Sequence, residues 1–310
     1  MSAGLLWAAL VLVASALQTM RFVLQKVLAG SGLSTGGATF SRFLFGAPIA
    51  SAAAIALLAG TGETLPDFSP RFWGFVLAGG AGQVFATFLT VKLFQMRNFA
   101  VGVAFTKTET LQVAVFSALI LGEAVSTLGW LGIVIGFAGV LLMSRPPEGG
   151  RRLGGSAWLG VLAGAGFAVA AIGYRGATVE LEPLPFVLRA MVALAAATCS
   201  QTLGMGLYLR AFEPGELTRV VRAWRRTIWV GVTGVGGSAG WFCAFALQNA
   251  AYVRAFGQVE MVFTLIASVL FFNERLHRRE GFGIARVVGS LSVLVLGEVV
   301  PVFRTGLQRC

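Results

Sequence analysis

Glu109 and Glu260 are acidic residues near the middle of long apolar stretches, and they stand 151 positions apart in segments that match at that same shift. Asn98, Ala100, Ala104, Phe105, Glu109, Ser117, Leu119, Glu123, Gly132 and Ile133 fall on Asn249, Ala251, Ala255, Phe256, Glu260, Ser268, Leu270, Glu274, Gly283 and Ile284. These are ten identities in 36 positions without a gap, where this composition gives roughly three by chance. A carboxylate at the centre of a bilayer carries a penalty of about 2.5 to 3.5 kcal/mol on insertion scales, so it should face a cavity or a partner instead of lipid. Two at equivalent places suit groups that take up and release protons during a transport cycle. The competing reading is a buried ion pair with Lys107, Arg42 or Arg189 that only fixes helix register.

Other polar residues inside apolar stretches extend this candidate pathway. On a continuous helix Lys107 and Glu109 lie about 200° apart, which predicts that they reach different neighbours. Arg42 and Arg189 occupy the second and seventh apolar segments, where a guanidinium could grip a carboxylate or phosphate of a substrate or else reach back to the interface. Arg254 is a further embedded charge. Thr106, Thr108, Thr110 and Gln112, with Gln258 and Thr264 in the second copy, make the fourth and ninth segments the most polar. Gln83 and Gln18 are weaker candidates of the same kind. Glu123 and Glu274 stand at segment ends and are expected to cap helix starts. His277 and three scattered cysteines, Cys199, Cys243 and Cys310, assemble no metal-ligand spacing, so neither metal nor cofactor is expected.

The elements that must hold these residues are membrane helices. Hydrophobic residues make up 56% of the 310 and charged residues 12%, too apolar for a soluble fold. Ten runs have roughly the 20-residue length of a span, at about 3–20, 35–59, 71–91, 98–121, 126–144, 156–174, 184–208, 227–247, 249–272 and 280–300. They are continuous, not alternating, which predicts an all-α integral membrane protein and excludes a barrel. The first run lacks a basic stretch ahead of it and is expected to be retained. A proline-, glycine- and arginine-rich break at 145–155 separates a five-helix repeat over 1–150 from another over 151–310. Because five is odd, the second repeat enters the membrane from the opposite face, an inverted pair suited to alternating access.

The net charge of +11 falls between the apolar runs, not on one soluble face, so it marks topology and not nucleic-acid binding. Lys and Arg counted by alternate sides divide fifteen, including Arg21, against four, which puts the richer side in the cytoplasm and both termini outside. Glycines crowd the third segment (Gly79, Gly80, Gly82) and the eighth (Gly231, Gly234, Gly236, Gly237, Gly240), as close helix approach in lipid requires. Residues 209–227 place Leu217, Val220, Val221 and Trp224 opposite Arg219, Arg222, Arg225 and Arg226, a short helix lying on the membrane surface. The 25 Phe and seven Trp are expected mostly at lipid and interface.

Leu121, Gly122 and Glu123 precede Trp130, Gly132, Gly136, Gly139 and Val140, and Asn273 and Glu274 precede Gly281, Gly283 and Gly289 in the second copy. This pattern resembles the EamA repeat of the drug/metabolite transporter superfamily, and the likeness covers essentially the whole chain. The resemblance implies a ten-helix carrier with both termini in the cytoplasm, against the charge count. Relatives often carry an acidic or serine residue followed by proline about fourteen residues before the glycine-glutamate; here Glu109 precedes Thr110 and Glu260 precedes Met261, so the proline is missing from both copies.

The expectation is a multi-pass secondary transporter of an inner or plasma membrane that moves a small polar or amphipathic metabolite, outward by preference, in exchange with protons. No nucleotide-binding sequence is present. A flippase of lipid-linked intermediates shares the fold and would differ by a lateral opening between helices. An intramembrane enzyme is the remaining alternative, but neither His-Glu-x-x-His nor a serine-histidine pair occurs, so no catalytic residue is assigned.

Overall fold

The computed structural model describes residues 5–30, 32–65, 67–96, 106–143, 154–273 and 282–294, and among these no strand occurs. Twelve helices follow in order: α1 Leu6–Ala29, α2 Thr35–Thr61, α3 Pro70–Met96, α4 Glu109–Phe116, α5 Thr127–Met143, α6 Gly154–Val179, α7 Phe186–Phe212, α8 Glu216–Arg222, α9 Trp224–Leu247, α10 Ala250–Phe256, α11 Glu260–Phe272 and α12 Phe282–Leu294. Seven helical stretches are long and apolar enough to cross a membrane, with α10 and α11 counted as one, and three shorter apolar ones lie at Glu109–Leu121, Thr127–Val140 and Phe282–Leu294. The chain is a multi-pass integral membrane protein. Of the helix expected over 209–227 only α8 forms separately, with Val220 buried and Val221 exposed, while Trp224, Arg225 and Arg226 belong to the start of α9 and Leu209 to the end of α7.

Helix ends follow local chemistry. Ser34 caps α2 by accepting from the Gly37 amide at 2.9 Å, and Asn249 caps α10 by accepting from Ala251 at 2.8 Å. A π-helical turn, Ser117–Leu121, extends α4 and stops at Gly122, where φ is 67°. α11 stops at Asn273 with φ 52°. Those two left-handed stops are 151 residues apart, the shift of the repeat.

α3 packs along α6 and α1 along α9 as the most extensive helix pairs, with α2 along α7 next. Glycine permits the first of these. A Cβ at Gly82 would stand 2.7 Å from the Gly166 carbonyl oxygen, and one at Gly166 2.8 Å from that of Gly82, so neither position accepts a side chain at this separation. The expected close approach of the glycine-rich third and eighth segments is thus realised, since Gly237 and Gly240 likewise face the α1 backbone at Ala14 and Leu10.

Two expectations about the helices and their aromatic residues need correction. α1 does not end at residue 20 but runs on to Ala29, and Arg21 inside it is buried, so this arginine is not an interfacial topology charge. Its apolar neighbours continue past it, and a hydrogen bond to Gln25 supplies only part of what water would have. Aromatic residues also divide differently: Trp73, Trp130, Trp158, Trp224 and Trp229 are exposed, whereas Trp7, Trp241 and phenylalanines such as Phe22, Phe43, Phe72, Phe242 and Phe245 fill the core between helices. Ring area serves interior packing as well as lipid contact. Residues 98, 100, 104 and 105 of the repeat, the break from 145 to 153, Glu274, His277, Gly281 and Cys310 lie outside the described residues.

Candidate functional site

Both repeat-related carboxylates are the first residue of a helix that follows a break in the path of its segment. Residues 107 and 108 form a turn before Glu109 opens α4. α10 gives way to a single 3-10 turn, Gly257–Val259, before Glu260 opens α11. An acidic side chain in a first helical turn meets the positive end of the helix dipole. Both carboxylates are buried, Glu109 at 1% and Glu260 at 0% exposure.

Four charges meet here. Lys107 Nζ donates to Glu260 Oε2 at 2.7 Å and stands 3.7 Å from Glu109 Oε1. Arg254 donates to Glu109 Oε1. Lys107 and Glu109 hydrogen-bond to different neighbours, Glu260 and Arg254, as the helical wheel predicts, yet Lys107 also comes within ion-pair distance of Glu109 because it sits in the turn and is not held at the 100° step of a continuous helix. The four formal charges cancel. Each half of the sequence supplies one cation and one acid to the cluster: Lys107 and Glu109 from the first, Arg254 and Glu260 from the second.

Neutral groups complete the coordination. Gln18, near the middle of α1, donates to Glu260 Oε2 at 2.9 Å and accepts from the Trp241 indole at 3.1 Å. The Arg254 guanidinium lies 4.4 Å from the centre of the Trp241 ring, a cation-π contact. Glu109 Oε2, Glu260 Oε1 and Arg254 Nε are buried with no hydrogen-bond partner among the described residues. Such unfilled valences ask for water or a ligand. Space is at hand: a cavity of about 20 Å³ with mixed lining, polar at Gln18, Arg42, Gln83 and Arg254 and apolar at Phe167 and Phe242 among others, has room for about one water.

Arg42 and Gln83 thus reach the same cavity as the charge cluster. Arg42 donates to the Thr87 hydroxyl at 3.2 Å and the Ser238 hydroxyl at 3.0 Å, and Gln83 donates to Thr87 at 3.1 Å. Gln258 is fully buried, but its amide lies against Gly136 and Ser290, and neither its oxygen nor its nitrogen has a hydrogen-bond partner among the described residues. Thr106 is buried at the approach to the Lys107 turn. Gln112 is only half-buried and reaches back to Thr108 at 3.4 Å, away from the charges. Arg189 does not join the site. It pairs with Glu182 at 2.5 Å and donates to the Ala246 carbonyl at 3.2 Å, fastening the C-terminal end of α9. A basic side chain near the start of α7 finds the nearest free helix carbonyls before it could reach the interior.

Glu123 acts at a helix start as expected, though at a different one from the next in sequence. It accepts from the Ala250 amide at 3.3 Å and from Ser117 at 2.8 Å, and pairs with Arg175 at 2.7 Å, which joins the ends of α4, α6 and α10. Arg21, Trp241 and Tyr174 carry no polar signal that distinguishes them from topology charges and core aromatics in sequence. Gln18 and Arg254, by contrast, are legible in the sequence as polar groups deep within apolar runs.

Residues 3–145 match the model of the EamA-like transporter family. No curated protein matches the chain. Among solved structures 29 chains match; one, titled only "Crystal structure of protein", superposes with a TM-score of 0.67 at 18% identity, covering 95% of this chain and 96% of its own. That likeness speaks to fold alone.

Proposed function

The chain belongs, through the match over residues 3–145, to the EamA-like transporters of the drug/metabolite transporter superfamily, and from that premise we propose a secondary active carrier of small polar or amphipathic solutes, coupled to protons. In this reading the seven long and three shorter apolar helical stretches are ten spans, and the halves 1–150 and 151–310 are inverted repeats. Several features support the repeat. α1 with α9 and α3 with α6 are first-with-third helix pairs exchanged between halves, and α2 with α7 pairs equivalent helices. α1 runs toward the end of the bundle where Ser34 meets Glu213 and Glu216, while α6 runs toward the opposite end, where Glu180 meets Ser69. The left-handed stops at Gly122 and Asn273 recur at the repeat shift.

The observation that carries the proposal is the buried cluster of Lys107, Glu109, Arg254 and Glu260, contributed by both halves beside a partly polar cavity. Opposite charges across the interface hold the halves in one arrangement. Protonation of Glu260 removes the counter-charge of Lys107, and protonation of Glu109 removes that of Arg254, so proton binding loosens the contact that a rocking motion must break. Solute and protons then compete for the same cations, which links their fluxes. The basic end of the bundle, with Arg219, Arg222, Arg225 and Arg226, is the cytoplasmic one in this scheme, and the membrane is the inner or plasma membrane.

The test is flux in proteoliposomes loaded with a pH-sensitive dye and screened with amino acids and other metabolites. Glu109→Gln and Glu260→Gln should each remove most proton-linked flux when compared at equal amounts of folded protein. Normal flux in both variants would refute coupling through this cluster. Reporter fusions at the C-terminus read orientation independently.

A further inference from the structure

Arg21 and Arg42 are buried guanidiniums without an acid. Their stems lie side by side across Gly234, where an added Cβ would stand 3.2 Å from Arg21 Cδ and 3.1 Å from Arg42 Cγ. Arg42 is held by the Thr87 and Ser238 hydroxyls. Arg21 gives one nitrogen to Gln25, and its Nη2 is buried with no partner. Among the described residues no carboxylate lies within ion-pair distance of either. The four neighbouring charges already balance one another. Guanidinium stays protonated inside proteins, so two positive charges stand in a low-dielectric interior with no ion pair of their own, and the acid whose field reaches Arg21, Glu260, is already paired with Lys107, an arrangement that an anion would relieve.

A second space lies next to the first. Between α3 and α7 an apolar cleft of about 540 Å³ opens sideways from the bundle, lined by Leu77, Val84, Phe85, Gly204 and Tyr208 among others. Leu77, Phe85 and Tyr208 are exposed at its mouth, on the flank that a bilayer would cover. At its inner side Gln201 donates to the Tyr174 hydroxyl at 2.8 Å and to the Gly80 carbonyl at 3.2 Å. Tyr174 also lines the cavity that holds Arg42. One hydrogen-bonded pair therefore separates an apolar lateral opening from a cationic interior.

We propose that the solute is an amphipathic anion, with a carboxylate or phosphate head seated on Arg42 and Arg21 and an apolar chain lying in the cleft between α3 and α7. Tyr174 and Gln201 part to let the head through. This deepens the carrier reading and rests on it. The unbalanced positive charge selects the head, and the apolar walls select the chain; a hydrophilic anion would use only the first feature and a neutral lipid only the second.

The test uses the full chain in phosphatidylcholine nanodiscs, with protein-free discs as the partition baseline. The probes are dodecyl phosphate, dodecyltrimethylammonium and butyl phosphate, read by tryptophan fluorescence, since Trp241 borders the cavity. Dodecyl phosphate should bind at least about tenfold more tightly than either comparator. Loss of a charge-assisted contact in Arg42→Gln should weaken it by about tenfold or more, with partial recovery in Arg42→Lys. A Cβ at Gly204 meets nothing within 4 Å, so Gly204→Phe can fill the cleft and should erase the chain-length preference while butyl phosphate binds as before. Equal affinity for the alkyl cation and anion, or no change in a folded Arg42→Gln protein, would overturn the proposal. If Glu109→Gln and Glu260→Gln abolish proton-linked flux but the anion preference is missing, this inference fails and the carrier reading stands. Anion binding as expected with no flux of any solute overturns the carrier reading and leaves only the binding site.

Discussion

Lys107→Met removes the one cation among the described residues that lies within ion-pair distance of both Glu109 and Glu260. Glu260 Oε2 has two donors, Lys107 at 2.7 Å and Gln18 at 2.9 Å, and its Oε1 has none. The variant leaves a fully buried carboxylate with a single neutral hydrogen bond. Breaking a buried pair by deleting one partner destabilises by about 3 to 5 kcal/mol. Glu109 suffers less, because Lys107 is 3.7 Å away and Arg254 remains. The whole loss should therefore trace to Glu260, and a companion change can show it. In the double variant Lys107→Met with Glu260→Gln the stranded charge is gone, so stability should recover by about 1 to 3 kcal/mol relative to the single variant. The measurement is unfolding free energy by SDS titration in mixed micelles for wild type, both single variants and the double. A Lys107→Met loss below about 1 kcal/mol, or strict additivity in the cycle, would refute the idea that these charges hold the halves together.

Further outcomes follow from backbone geometry. Gly82→Ala puts a methyl 2.7 Å from the Gly166 carbonyl oxygen and should destabilise by about 1 to 3 kcal/mol as α3 and α6 are forced apart; Gly74→Ala, with nothing within 4 Å, should be neutral or slightly stabilising in the same titration. Gly122→Ala places a side chain at φ 67° and should lose about 1 kcal/mol, whereas Asn273→Gly at φ 52° should lose nothing. Arg175→Gln removes the pair with Glu123 and a donor to the Phe245 carbonyl, and protease access to the loop at 122–126 should rise. That pair is partly exposed, so its stability loss should fall short of the Lys107 variant's.

Composition and apolar run length alone determine that this chain is helical and crosses a membrane, since a bilayer accepts no unpaired backbone and helices meet that demand locally. The match of two segments at a shift of 151 residues likewise needs only the sequence, and it singled out Glu109 and Glu260 because each segment keeps an acid where apolar residues are the rule. Glycine at the third and eighth segments foretold close packing for the same reason: the pattern is local to one helix. Partnership was not legible. Arg254, Gln18 and Trp241 come from three different segments, and only the tertiary structure brings them onto the two acids. Arg21 and Arg189 show the limit most clearly, as two arginines near apolar runs with opposite fates. Arg189 found helix-end carbonyls within reach and stayed peripheral, while Arg21, enclosed by a helix longer than expected, was carried inside. A side chain's type sets the energy of burying it, but which neighbours compensate that energy depends on how helices far apart in sequence pack.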